Sequence, residues 1–135
     1  MMPVSRYLFI FLNVGLGEAA KRNVGTGAGQ IPDMSSFASG GSTNAKYTQL
    51  PGGTIIQRGK ATVTTGGITV TLPMAMPNSN YVILGTDDDA TVGSGGVIAG
   101  SPLTATTMHL HGINWNGGTT NDGSPGWMSW MAVSL

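Results

Sequence analysis

The segment GTIIQRGKATVTTGGITVTL, residues 53–72, has the composition of two β-strands joined by a turn. Its first part, residues 53–64, is rich in β-branched side chains, which fit the pleated surface of a sheet. Gly59 interrupts this run, and a glycine inside a strand pattern indicates a bulge or a bend. Gly66-Gly67 is typical of a tight hairpin turn, and alternation resumes over residues 68–72. The segment therefore predicts a β-hairpin and a loop-rich all-β fold.

Further strands are expected along the rest of the chain. Residues 81–84 are four consecutive apolar residues, a pattern typical of a strand covered on both faces. A short strand is predicted near Val97–Ala99, a long one over Leu103–Trp115 and a terminal one over Trp127–Leu135. Period-two alternation gives each of the last two strands two apolar faces. On the long strand these faces are Met108 and Leu110 against His109, His111, Ile113 and Trp115; on the terminal strand they are Met128, Trp130 and Ala132 against Trp127, Met131 and Val133.

Strands that are apolar on both faces have a consequence for assembly. A sandwich of roughly 90 residues has one interior to offer, so the second face of each such strand needs another subunit. Obligate association with closed cyclic symmetry is therefore expected.

The N-terminal third has a different composition. Glycine and serine recur over residues 22–44, which argues against a compact helical domain and predicts an extended segment, with a short helix at Leu16–Arg22 at most. The apolar run Tyr7–Leu12 is shorter than the core of a signal peptide and far shorter than a membrane span. We divide the chain into a segment 1–45 and a β domain 46–135. Residues 1–13 are interpreted as the start of a longer, truncated chain or as residues foreign to the natural protein.

Charge is scarce and unevenly distributed. The 135 residues include six Lys and Arg and six Asp and Glu, 9% of the chain, where roughly 25% is usual. Residues 1–60 hold all six basic side chains against two acidic ones, a net charge of +4, whereas residues 61–135 hold four Asp and no base, a net charge of −4. Nucleic acid binding is excluded for the second part, because phosphate affinity depends on Lys and Arg. The absence of cysteine rules out disulfides and thiolate metal sites.

Four stretches resemble the C-terminal receptor-binding tip domain of bacteriophage and prophage tail fibres. They are RNVGTGAGQIPDM (22–34), LPGGTIIQRGKATV (50–63), ITVTLPMAMPNSNYVI (68–83) and SWMAV (129–133). The resemblance implies a homotrimer in which an extended, intertwined shaft segment leads into a small antiparallel β-sandwich at the distal tip of the virion's tail fibre, outside the cell. It also implies an upstream fibre shaft as a partner. This chain departs from the family pattern at Arg58, where family members often carry an aromatic residue, and at Ser134, where they often carry glycine.

His109-Leu110-His111 is the clearest metal-binding pattern. Period two places both imidazoles on one strand face, and neutral imidazole suits Fe, Ni, Cu and Zn. Three copies around an axis would supply six such ligands, and the pair resembles those in the needle-like tip of T-even long tail fibres, which implies Fe or Ni on the trimer axis. The alternative is a histidine pair hydrogen-bonded in a groove or interface.

The remaining candidate residues lie in connections between the predicted strands. If consecutive strands alternate in direction, the connections 64–67, 87–95 and 116–126 share one end of the domain, and 73–80 and 100–102 share the other. Loops on a rigid scaffold commonly bind ligands, and indole rings can stack on sugar rings. The acidic run lacks the spaced ligands of an EF-hand and is expected to be solvated or to bind sugar hydroxyls. The predicted receptor-binding residues are Thr65, Asp87, Asp88, Asp89, Trp115, Asn116, Thr119, Thr120, Asn121, Asp122 and Trp127.

No motif indicates catalysis. The chain has no G-x-S-x-G elbow and no P-loop lysine, and its only glutamate, Glu18, lies in the N-terminal segment. The expected function is non-catalytic attachment to a bacterial surface saccharide or outer-membrane protein, which would determine host range, with no membrane insertion. A fibre-borne polysaccharide depolymerase and a purely structural trimerisation module are the alternatives.

Overall fold

The computed structural model describes residues 17–64, 66–88, 94–116, 119–122 and 126–135. The chain divides into two compact units, residues 1–37 and 38–135. The second unit thus includes part of the glycine-rich segment that the sequence assigned to residues 1–45.

The described part of the first unit, residues 17–37, has little regular structure. It contains two 3₁₀ turns, Glu18–Lys21 and Met34–Ser36, and a single parallel bridge between Val24 and Ile31. The short helix predicted at Leu16–Arg22 is the first of these turns, which Lys21 Nζ supports through an ion pair of 2.7 Å with Glu18 Oε1. None of residues 17–37 is buried. This part of the chain therefore has no hydrophobic core of its own.

The described part of the second unit consists of nine β-strands. They are β1 (Ser39–Gly41), β2 (Ala45–Gln49), β3 (Ile55–Val63), β4 (Ile68–Thr71), β5 (Tyr81–Asp87), β6 (Ser94–Pro102), β7 (Thr107–Asn116), β8 (Thr119–Asp122) and β9 (Gly126–Ser134). Among the described residues, no helix is long and apolar enough to span a membrane.

These strands form two antiparallel sheets. The five-stranded sheet has the order β1-β2-β3-β9-β5. In the four-stranded sheet β7 is central: β6 pairs with one edge of β7, and β4 and β8 pair with successive parts of its other edge. The apolar residues of both sheets meet in one core, which confirms the predicted all-β antiparallel sandwich. The buried apolar residues are Ile55, Val63, Leu72, Met76, Tyr81, Met108, Leu110, Met128, Trp130 and Ala132.

Gly59 does not form the predicted bulge. β3 pairs with β9 without interruption from Ile56↔Val133 to Val63↔Gly126, so the strand is continuous. A Cβ atom at Gly59 would lie 2.5 Å from the Asn44 carbonyl oxygen and 2.6 Å from Trp130 Cζ2. Glycine is required here because the indole ring and the neighbouring backbone occupy the space of a side chain.

The Gly66-Gly67 turn is also not the predicted hairpin. β3 belongs to the five-stranded sheet and β4 to the four-stranded sheet, so the turn carries the chain from one sheet to the other. Both glycines have φ +86°, and Gly67 N donates to the Thr64 carbonyl oxygen at 2.9 Å. A glycine pair with positive φ permits a tight reversal but does not decide whether the flanking strands pair or pack face to face.

Within the described part of the second unit, one face of the five-stranded sheet is buried and the other is exposed. On β5, Tyr81 is buried, whereas Val82 is 41% and Leu84 60% exposed. On β9, Met128 and Trp130 are buried, whereas Trp127 is 53% and Met131 40% exposed. The predicted two-sided apolar pattern is therefore present in these strands, but the described residues of the second unit cover only one side. We call the exposed side the outer face.

A buried glutamine connects the sheet to the proline-rich connection 73–80. Gln57 is fully buried, and its Nε2 donates to the Met74 carbonyl oxygen at 2.7 Å, while its Oε1 accepts from Met74 N at 3.0 Å. The side chain thus satisfies both backbone groups of Met74, as a buried amide must.

Replacement of Gly59 by alanine is expected to destabilise the domain. The added methyl group would overlap Trp130 and the Asn44 carbonyl group, and overpacking of this kind costs about 1–3 kcal/mol. Chemical denaturation of Gly59→Ala should show that loss. Gly52→Ala is the matched control, because a Cβ atom there meets nothing within 4 Å. Equal stability of the two variants would contradict the close packing of Trp130 against β3.

Candidate functional site

The strand ends define two ends of the sandwich. Val63 pairs with Gly126, and Asp87 pairs with Met128, so the connections that leave β3 and β5 and the one that enters β9 share one end. Ala38 lies at the other end, where its carbonyl oxygen accepts from Gln49 N, beside the first residue of β3. The connections 73–80 and 103–106 also meet there, since Met76 N donates to the Ala105 carbonyl oxygen at 2.7 Å. The predicted sharing of ends is confirmed, but the predicted connection 100–102 is wrong: these residues belong to β6, and the chain turns at 103–106 instead.

The predicted loop 116–126 is partly a strand. Asn116 pairs with Thr119 and Trp115 with Thr120, so β7 and β8 form a hairpin with two residues between the paired positions. Those residues are Gly117 and Gly118, the composition of a two-residue hairpin turn, which is the sequence signal that could have located β8. The predicted site residues in this hairpin are described in their backbone only. They are Trp115, Asn116, Thr119, Thr120, Asn121 and Asp122.

The structure brings Asp88 and Trp127 together and adds two residues that were not predicted. Asp88 Oδ2 lies 2.6 Å from Lys60 Nζ, and Ser129 Oγ donates to Asp88 Oδ1 at 2.7 Å. Asp88 N donates to the Trp127 carbonyl oxygen at 3.1 Å, and Trp127 is half exposed. Asp87 belongs to β5 and is partly buried. Thr65 and Asp89 lie outside the described residues.

The carboxylate of Asp88 is held in its charged form. Hydrogen bonds from Lys60 and from Ser129, and the positive charge of Lys60, lower the pKa of Asp88. Asp88 is therefore a stable hydrogen-bond acceptor and not a proton donor at neutral pH.

His109 and His111 are close enough to act together. They lie on the side of β7 opposite the buried Met108 and Leu110, with ring centroids 6.4 Å apart and ring planes inclined by 58°. The His109 ring packs over Gly67. Within the described residues, no group of three or more His, Cys, Asp or Glu side chains could hold a metal ion. A metal site at this pair would need ligands beyond the described side chains of one chain.

A groove crosses the outer face of the five-stranded sheet. It follows the row Gly59↔Trp130↔Gly85, whose side-chain positions point to the core, and it has a volume of about 620 Å³. Outward side chains of the adjacent rows form its walls: Lys46, Arg58, Met131 and Leu84 on one side, and Lys60, Ser129 and Thr86 on the other. Sequence reasoning missed this groove, although Arg58 was visible as a departure from the family pattern.

The stability contributed by Asp88 is expected to depend on pH. A carboxyl group with a lowered folded-state pKa stabilises the protein above its unfolded-state pKa, and this contribution disappears as the pH falls through the folded-state value. Asp88→Asn should therefore be less stable than the parent chain at pH 7 and equally stable near pH 2, as measured by urea unfolding. The difference at pH 7 should also shrink in 1 M NaCl. A difference that is constant from pH 7 to pH 2 would show that the charge is unimportant.

Comparison with known proteins agrees with the resemblance read from the four sequence stretches. Residues 49–133 match the family described as "Putative tail fiber protein gp53-like, C-terminal". No curated protein sequence matches the chain. A P. aeruginosa R1 pyocin fibre structure comprising C-terminal residues 323–701 is 16% identical with a TM-score of 0.49; the match covers 93% of this chain and 30% of that one. An N-truncated R1-type pyocin tail fibre is 15% identical with a TM-score of 0.49; the match covers 100% of this chain and 98% of that one.

This chain therefore spans less than a third of the length of the first of these fibres. The family match, in contrast, extends over more than half of the 135 residues and includes strands of both sheets. The protein belongs to the gp53-like family of tail fibre C-terminal domains.

Proposed function

We propose that this domain attaches a phage or phage-like particle to a bacterial cell surface, as a homotrimer at the distal end of a tail fibre, and that it determines host specificity by binding without catalysis. The observation that carries the proposal is the two-ended geometry of a tail fibre family domain. The chain enters the sandwich at Ala38, and the predicted receptor-binding connections leave from the opposite end.

Exposed apolar surface supports the trimer. None of residues 17–37 is buried, and among them Met34 is 82% and Val24 63% exposed. On the outer face, Val82 is paired with Val133 and Leu84 with Met131, so the apolar side chains of β5 and β9 form one continuous patch. Covering such surface is the main driving force for subunit association.

The position of this patch supports a particular orientation in the trimer. Among the described residues of the two sheets, the large exposed apolar side chains lie on the outer face of the five-stranded sheet. His109 and His111 lie on the outside of the four-stranded sheet. If the five-stranded sheets face the axis, the histidines face away from it. We therefore propose that the pair contributes to the external surface of the trimer. An axial Fe or Ni site would require the opposite orientation, in which the four-stranded sheets face the axis.

Attachment would use the end that carries Trp127 and Asp88. The half-exposed indole offers a flat surface for a sugar ring or a protein loop, and the adjacent carboxylate accepts hydrogen bonds from hydroxyl groups. Each site is expected to be weak by itself, and three sites on one fibre would supply avidity.

Asp88 does not fit the role of the general acid of a glycosidase. A glycosidase needs one carboxylic acid with a raised pKa to protonate the leaving group. The pKa of Asp88 is lowered instead, because Lys60 and Ser129 hold its charged form. A depolymerase would need a residue other than Asp88 as its general acid.

The trimer can be tested by sedimentation equilibrium. The parent chain should have three times the mass of one 13.8 kDa chain at micromolar concentration. Leu84→Lys places a charge in the apolar patch and should favour dissociation, whereas Leu103→Lys, at an exposed leucine outside the outer face, should not. A monomeric parent chain would contradict the trimer. A trimer with one transition-metal ion per three chains, by elemental analysis, would instead place the histidines at the axis.

Attachment can be tested with labelled protein and bacterial mutants that lack O-antigen, core sugars or porins. Binding should fall on the strain that lacks the receptor, and Trp127→Ala should weaken it at least about tenfold through loss of stacking at three sites. Leu50→Ala, which removes an exposed apolar side chain from the connection between β2 and β3, is the control. Uniform binding to all strains would contradict host specificity, and release of shortened saccharide would favour the depolymerase.

A further inference from the structure

Two strands pair with the same edge of β7, and their ends come close to each other. β4 pairs with β7 as far as Leu110, and β8 pairs with β7 from Ile113 onwards, where Asp122 is the opposite residue. The other edge of β7 is occupied by β6. Two positions of β7, 111 and 112, therefore separate the end of β4 from the end of β8.

Two histidines and one aspartate occupy positions on a single face at this junction. His109, His111 and Ile113 are at alternate positions of β7, so they share the face opposite the buried Leu110. Directly opposed residues of an antiparallel pair also share a face, and Asp122 is opposite Ile113. Asp122 is thus the diagonal neighbour of His111, and such neighbours are about 7–8 Å apart.

The ring of His109 extends towards the same junction. Gly67 directly precedes β4, and a Cβ atom there would overlap His109 Nε2, so the ring lies over the start of β4. The His109 and His111 ring centroids are 6.4 Å apart. One ion between the rings can therefore bond to a nitrogen of each.

The residue types at the junction select a transition metal. The described side chains supply two ligands, and Asp122, of which the backbone is described, supplies the position of a third. Two imidazoles and one carboxylate are a ligand set typical of Zn²⁺ and of divalent iron, with coordination positions left open. Mg²⁺ and Ca²⁺ prefer oxygen ligands throughout.

We propose that His109, His111 and Asp122 of a single chain bind one divalent transition-metal ion on the outside of the four-stranded sheet, with water in its remaining positions. The proposed trimer covers the other sheet, so the site is accessible in that assembly. The site is complete within one chain, unlike an axial site shared by three. The ion connects the end of β8 to the middle of β7 and so fixes the hairpin that contains the predicted receptor-binding residues 115–122.

Calorimetric titration of the untagged chain, freed of metal with a chelator and then dialysed, tests the stoichiometry. Zn²⁺ should bind at one ion per chain, and Mg²⁺ should not compete with it. Bound Zn²⁺ should also raise the unfolding temperature, because an ion that binds the folded chain stabilises it. Absence of Zn²⁺ binding up to about 1 mM would overturn the proposal. So would one ion per three chains, since that result places the histidines on the trimer axis.

Variants test the three ligands. Asp122→Asn should weaken Zn²⁺ binding by more than about tenfold, because even the loss of an outer hydrogen-bond partner of a ligand costs that much. His109→Ala and His111→Ala should have at least the same effect, and Asp122→Glu, which keeps a carboxylate, should restore part of the affinity. Asp33→Asn is the matched control: it makes the same change in the first unit, and asparagine still caps the turn there.

Circular dichroism of each variant confirms that it is folded before its affinity is compared. Binding of one Zn²⁺ per chain that needs the histidines but is unchanged in Asp122→Asn would overturn the assignment of Asp122. Loss of binding in Asp33→Asn would overturn the location.

Sedimentation and bacterial attachment of the same samples separate this proposal from the proposed function. A monomer that binds one Zn²⁺ would contradict the trimer alone. A trimer that attaches selectively to bacteria but does not bind Zn²⁺ would contradict the metal site alone.

Discussion

Strand β9 hydrogen-bonds along nearly its whole length to β3 on one side and to β5 on the other. This double pairing fixes its register, and because successive side chains alternate, the register assigns each side chain to the core or to the outer face. Met128, Trp130 and Ala132 enter the core, and a slip of one residue would replace them with Trp127, Ser129 and Met131. The core and the outer face therefore depend on the same set of backbone hydrogen bonds.

The outer face is divided across the sheet. The strands β5 and β9 present an apolar patch, whereas β2 and β3 present Lys46, Arg58 and Lys60. The groove follows the row of core-directed positions between two rows of outward side chains, so its existence is a consequence of the pleat. The apolar half is the part of this face that the proposed subunit contact would cover.

The two ends of the sandwich separate Ala38 from the predicted receptor-binding connections. Ala38 is at one end, and the strand ends that flank the predicted receptor-binding connections are at the other. Asp88 links these strands at that end, since it bonds to Lys60 of β3 and to Ser129 of β9. The same residue also donates its backbone N–H to the carbonyl oxygen of the exposed Trp127.

Local composition by itself determined the fold class, the approximate positions of the longer strands and the alternation of their faces. It assigned Met108 and Leu110 to one side of β7, and four short stretches indicated the tail fibre family. It could not determine which strands pair. The Gly66-Gly67 turn has the same chemistry in a hairpin and in a connection between sheets, and Gly59 has the same composition signal whether it forms a bulge or admits an indole ring. The cationic groove was hidden for a related reason. Lys46 and Arg58 are distant in sequence, and only the β2–β3 register, which is set by long-range backbone hydrogen bonds, makes them neighbours.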